Sequence, residues 1–109
     1  MCNPAVNTGR VPQVSGLKVI YTCNGTTPVI VGMWKTPQGI NGPQTPIGPA
    51  DTVRIVTNDF MFTGGDGYTV LTQGTNVQQP GDDLLQVAID YVDANSPVSA
   101  AVEGRMVKQ

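Results

Sequence analysis

The sequence contains no histidine. That removes the commonest general base and the commonest metal-ligating side chain. A hydrolytic centre built on two metal ions needs a tight set of such ligands, and this chain does not carry one. It has only two cysteines, Cys2 and Cys23, too few to make a zinc site by themselves. Charge is also scarce: Asp, Glu, Lys and Arg make up 13% of the residues, against about 25% in an ordinary soluble domain. The basic residues Arg10, Lys18, Lys35, Arg54, Arg105 and Lys108 are scattered, and the net charge is −2. Nucleic-acid binding through phosphate neutralisation is therefore not expected. No apolar run approaches the ~20 residues of a membrane-spanning helix. The first residues, Met1-Cys2-Asn3-Pro4, have neither the basic start nor the apolar centre of a signal peptide.

What the chain has is glycine (13) and proline (9) in a length of 109 residues. That length suits one domain or part of one, and the mix points to a loop-rich, β-containing fold. Residues 1–13 are polar and aperiodic. Leu17 to Cys23 alternates as a strand, with Leu17, Val19, Tyr21 and Cys23 on one face. Asn24-Gly25 is a strong hairpin turn signal; Asn24-Gly25-Thr26 also fits the N-glycosylation pattern, but the turn is the reading adopted. A second strand runs from Val29 to Lys35. Simple alternation puts Val29, Val31 and Met33 on one side and Ile30, Gly32 and Trp34 on the other. Both sides are apolar, which predicts cover on both.

Residues 36–52 read as a long loop punctuated by Pro37, Pro43, Pro46 and Pro49. A third strand is expected over Val53–Thr57 and a short one over Thr69–Leu71. After a polar loop at 72–80, Asp82 is expected to cap a helix. Leu84, Leu85, Ala88, Tyr91 and Val92 form its apolar face, and Asn95-Ser96-Pro97 ends it. A last strand is expected over about Ala101–Val107. Cys2 and Cys23 admit two readings: a disulfide, which suits a secreted protein, or two unpaired thiols.

The most informative run is Thr57-Asn58-Asp59-Phe60-Met61-Phe62-Thr63-Gly64-Gly65-Asp66-Gly67-Tyr68. Glycines let the backbone reach positive φ and let another body come close. An ionised carboxylate among them accepts two donors side by side, a natural match for vicinal hydroxyls, and Phe60 offers a flat apolar face. Read alone, Gly-Gly-Asp-Gly is a tight turn with a solvated Asp66. It is not a P-loop, because no Gly-Lys-Ser/Thr follows. It is not a calcium loop, because the alternating acids are absent.

Taken whole, the run resembles the signature of the C-terminal domain of 5′-nucleotidases and UDP-sugar hydrolases. Pro12-Gln13-Val14-Ser15-Gly16-Leu17, then Pro46-Ile47 with Val53-Arg54-Ile55-Val56, then Ala101-Val102-Glu103-Gly104-Arg105 resemble further pieces of that domain, in its order. The resemblance covers the later part of the domain, with residues 1–109 as its segment. It implies an α+β fold of mostly antiparallel strands with a C-terminal helix, part of a layered α/β/β/α domain.

The resemblance also implies a division of labour. A separate N-terminal metallophosphoesterase domain would carry the divalent metals and the catalysis, and this chain would carry no cofactor. The partner implied is a nucleotide or nucleoside: Phe60 would stack on the base, Asp66 would take the ribose hydroxyls, and Gly64 and Gly65 would shape the turn against the ligand. An extracellular, periplasmic or cell-surface location follows, with no nucleic-acid or membrane partner. A homo-oligomer is expected from the apolar strand faces. Two other readings stand beside this one: a non-catalytic extracellular module that kept the fold, and a self-contained enzyme using Asp66 or Glu103.

Overall fold

The computed structural model describes residues 2–3, 8–79 and 81–109. They fall into two compact units: the described residues up to Val53 together with Val102–Gln109, and Arg54–Ala101.

The first unit is a four-stranded sheet. Strand β1 (Leu17–Asn24) turns back through Gly25 and Thr26 into β2 (Thr27–Lys35), with the left-handed bend at Gly25 (φ 61°). A short strand, β3 (Thr45–Pro46), pairs with the end of β2, and β4 (Met106–Lys108) joins the other side of β1. The spatial order is β3-β2-β1-β4. The β1–β2 and β2–β3 pairs are antiparallel, and β4 lies parallel to β1, with Val19 opposite Met106 and Tyr21 opposite Lys108. Backbone N–H groups of Val19 and Gln109 donate to the carbonyls of Arg105 and Tyr21, each at 2.8 Å. The fold is thus α+β with a mostly antiparallel sheet, as expected.

The register of the hairpin corrects the expected alternation. Lys18 faces Trp34 and Ile20 faces Gly32, but Tyr21 faces Ile30. Val31 is an extra residue in β2, a bulge. Directly opposed residues share a face, so Ile30 joins Met33 and Val19, and Val29 joins Gly32 and Trp34. One inserted residue exchanges the faces of everything beyond it. The expectation that β2 is covered on both sides also fails: Val29, Ile30 and Val31 are each about half exposed (45–53%). Strand propensity reported on side chains suited to a pleated surface, not on how much lies against them.

Among the described residues of this unit, the core is narrow. Val19 is the buried apolar side chain, and Thr36 is buried beside the end of β2. The Thr36 N–H donates to the Gly16 carbonyl at 2.9 Å and its carbonyl accepts from Gly39. Cys2 and Cys23 are joined by a disulfide, which settles the choice left open by the sequence. It fastens the N-terminal segment to the tip of β1.

β3 lies inside the stretch read as loop. Pro46 can sit there because an edge position leaves its missing N–H without consequence. The Ile47 N–H reaches the Met33 carbonyl at 2.9 Å.

The second unit holds a one-turn helix, α1 (Asp59–Phe62), short 3-10 segments at Gly65–Gly67 and Thr69–Gln73, and helix α2 (Leu84–Asn95). Three expectations are corrected here and at the chain end. Residues 53–57 form no strand: they have no ladder partner, and Val56 is 98% exposed. Thr69–Leu71 is 3-10 helix because Leu71 and Gly74 donate locally, to Tyr68 and Leu71. The closing strand is confined to Met106–Lys108, because Gly104 turns the backbone at φ 72° just before it.

Helix α2 forms where its periodicity placed it, but its cap is Asp83 rather than Asp82. The Asp83 carboxylate accepts from the Gln86 N–H at 3.1 Å; Asp82 stands one residue too early to reach that donor. Apolar side chains of α2 are exposed, including Leu84 (68%) and Leu85 (69%). No helix among the described residues is long and apolar enough to cross a membrane.

Candidate functional site

The site candidates lie on one continuous loop of the second unit. Asn58 opens it in an extended conformation, and its side-chain oxygen accepts the Met61 N–H at 2.8 Å, which caps α1. Asparagine suits this place because its short amide reaches the orphan amides of a first turn. The Asp59 carboxylate accepts the Phe60 N–H at 2.9 Å. At the other end, the Thr63 hydroxyl reaches back to the carbonyls of Asp59 (3.0 Å) and Phe60 (3.1 Å). The Phe60 backbone is therefore held on both sides, and the residue itself is 56% exposed.

The chain then reverses. Gly64 takes φ 94° and Gly67 takes φ 82°, conformations that glycine enters at no steric cost. Between them Asp66 takes φ 55°, uncommon for a residue with a Cβ and most accessible to Asp and Asn. Asp66 is exposed, while Gly64, Gly65 and Tyr68 are half-buried. Phe60 and Gly65 meet: the space a Gly65 side chain would fill holds the Phe60 ring. Gly64 instead faces Thr72 and Thr69. The run read from the sequence is thus one folded unit, α1 and the glycine turn packed together.

Three contributors escaped the sequence reading as holders of this loop: Asn58 as cap, Thr63 as hydroxyl strap, and Gly65 as the partner of the ring. The signal for the first was present, since Asn ahead of a short apolar run is a helix-start pattern. Just ahead of the loop, the hydroxyl oxygen of Thr57 is buried without a hydrogen-bond partner.

Among the described residues, no group of three or more His, Cys, Asp or Glu side chains could hold a metal ion.

Comparison with known proteins decides the family. The model of the 5′-nucleotidase C-terminal domain matches residues 2–73. This chain belongs to that family. Its relatives include an apyrase from Tabanus yao, 34% identical over 92% of this chain and 18% of the apyrase. A trifunctional nucleotide phosphoesterase protein from Bacillus subtilis is 34% identical over 90% of this chain and 7% of its own length. A snake venom 5′-nucleotidase from Macrovipera lebetinus is 31% identical over 91% of this chain and 25% of its own. The chain thus spans a quarter or less of the length of these curated relatives. No solved structure gives a significant match.

Proposed function

We propose that this segment supplies nucleoside contacts to a 5′-nucleotidase-like hydrolase that removes phosphate from nucleotides. The cleavage itself falls to a separate N-terminal metallophosphoesterase domain holding divalent metals. Phe60 stacks on the base, Asp66 accepts the ribose hydroxyls, and Gly64 and Gly65 keep the turn beside them free of side chains. The protein works outside the cytoplasm, in keeping with the disulfide and with relatives named for venom.

The observation that carries this reading is the combination on one loop of an exposed aromatic residue with a fixed backbone and an exposed carboxylate in a glycine turn. Aromatic residues are ordinarily drawn inward, and an exposed one held this way suits a stacking surface.

The test uses a nucleotidase carrying this segment and compares hydrolysis of a nucleoside monophosphate with that of a simple phosphomonoester. Phe60→Ala removes a stack worth about 1–3 kcal/mol, so KM for the nucleotide should rise roughly tenfold or more. Asp66→Asn keeps the turn but removes the charge and one acceptor oxygen, and should weaken nucleotides more than esters without ribose. If both variants keep the wild-type ratio of the two substrates, the nucleoside assignment fails.

A further inference from the structure

We propose that Gly65 is a positioning residue for Phe60: the absence of a side chain at Gly65 is the seat of the Phe60 ring. The glycines of this turn divide into two kinds. Gly64 and Gly67 sit at φ 94° and 82°, so the backbone itself asks for glycine there. Gly65 is not in the left-handed region, so a positive φ is not what calls for glycine there.

What excludes a side chain at Gly65 is space. A Cβ built on it would lie 2.6 Å from Cε1 and 2.6 Å from Cζ of Phe60, and 2.6 Å from the Phe60 carbonyl oxygen. Real Cβ atoms essentially never come that near another heavy atom. At Gly64 the nearest atom is Thr72 Cγ2 at 3.6 Å, an ordinary contact. Two adjacent glycines thus serve different ends, one for backbone conformation and one for room.

The room matters because the rest of the Phe60 side chain has little to lean on. The Asp59 carboxylate and the Thr63 hydroxyl fix its main chain, but the residue is 56% exposed. A methyl group at position 65 would drive the ring to another rotamer or push α1 away from the turn, and a stacking surface works only when its plane is set before the ligand arrives. This inference rests on the reading of Phe60 as the base-stacking residue and names what aims it.

The experiment uses the 109-residue chain, NMR of its phenylalanine rings, and adenosine as the probe. Gly65→Ala should shift the Phe60 ring signals before any ligand is added and weaken adenosine roughly tenfold, the loss of a stack. Gly81→Ala is the control, because a Cβ there meets nothing within 4 Å; it should change neither. Adding Gly65→Ala to Phe60→Ala should cost no further adenosine affinity, and its thermal destabilisation should be smaller in that background than in the wild type. Ring signals and affinity unchanged in Gly65→Ala would overturn the proposal. So would an equal loss of affinity, or of melting temperature, with and without the Phe60 ring. If Gly65→Ala moves the ring while Phe60→Ala leaves adenosine affinity at the wild-type level, the seat stands and the reading of Phe60 as the base-stacking residue falls.

Discussion

The guanidinium of Arg105 donates to the carbonyl oxygen of Val14 at 2.6 Å, joining the approach to β4 to the approach to β1 across a sequence separation of 91. The same side chain also meets Glu103, with Nε 3.1 Å from the carboxylate. The two contacts should differ in weight. A hydrogen bond from a charged donor to a part-buried carbonyl contributes about 1.5–3 kcal/mol, whereas an ion pair between groups 39% and 51% exposed is screened by water. Arg105→Ala should therefore lower the urea midpoint clearly, and Glu103→Ala should hardly move it. Equal effects would mean that the ion pair, not the strap to Val14, is what Arg105 provides.

The disulfide between Cys2 and Cys23 closes a loop with a sequence separation of 21. Constraining such a loop in the unfolded chain stabilises the native state by about 3 kcal/mol. Denaturant unfolding with and without reductant should show a loss of that order, with a larger m for the reduced protein because its unfolded chain is less compact. Thiol titration of the unreduced protein should find no reactive cysteine.

The isolated chain should not hydrolyse a nucleoside monophosphate, with or without added divalent metal. It has no histidine, and among the described residues it gathers no metal-ligating cluster. Phosphate release assayed on rigorously purified protein checks this; metal-dependent turnover would contradict it.

Self-association is the fourth expectation. Leu84, Leu85 and Tyr91 of α2 are 60–69% exposed, and Val29, Ile30 and Val31 of β2 are 45–53% exposed. Apolar surface on this scale favours contact with a partner, and a second copy of the chain is the partner always at hand. Light scattering over a concentration series should give a mass above 11.5 kDa. A constant monomer mass at high concentration would rule it out.

How much of this was legible in the residues depends on how local each cause is. The hairpin was legible because Asn24-Gly25 signals a turn in two letters, although Asn24 itself ends β1 and the chain reverses one residue later, through Gly25 and Thr26; α2 was legible because its apolar period spans several turns. The missing strand at 53–57 was not legible. Val53, Ile55 and Val56 have the right shape for a sheet, but a strand exists only where a neighbour offers hydrogen bonds, and sequence shape does not report the neighbour. The Val31 bulge was hidden for the same reason: it is a mismatch between two strands, invisible in either alone. In the candidate site, the run from Phe60 to Asp66 stood out by composition. The contact of the Phe60 ring with Gly65 did not, since it depends on how tightly α1 folds back on the turn.

Because β4 returns to β1, the segment Arg54–Ala101 leaves the sheet unit and comes back to it. To the sheet it is a polymer loop closed at both ends. The entropic charge for such a loop grows only with the logarithm of its length, about 0.6 kcal/mol for each doubling. Residues could be added to or removed from the stretches between α1, the 3-10 segments and α2 at little cost to the strands. The loop bearing Phe60 and Asp66 could thus be lengthened, shortened or exchanged in evolution or by design while β1 kept its neighbours.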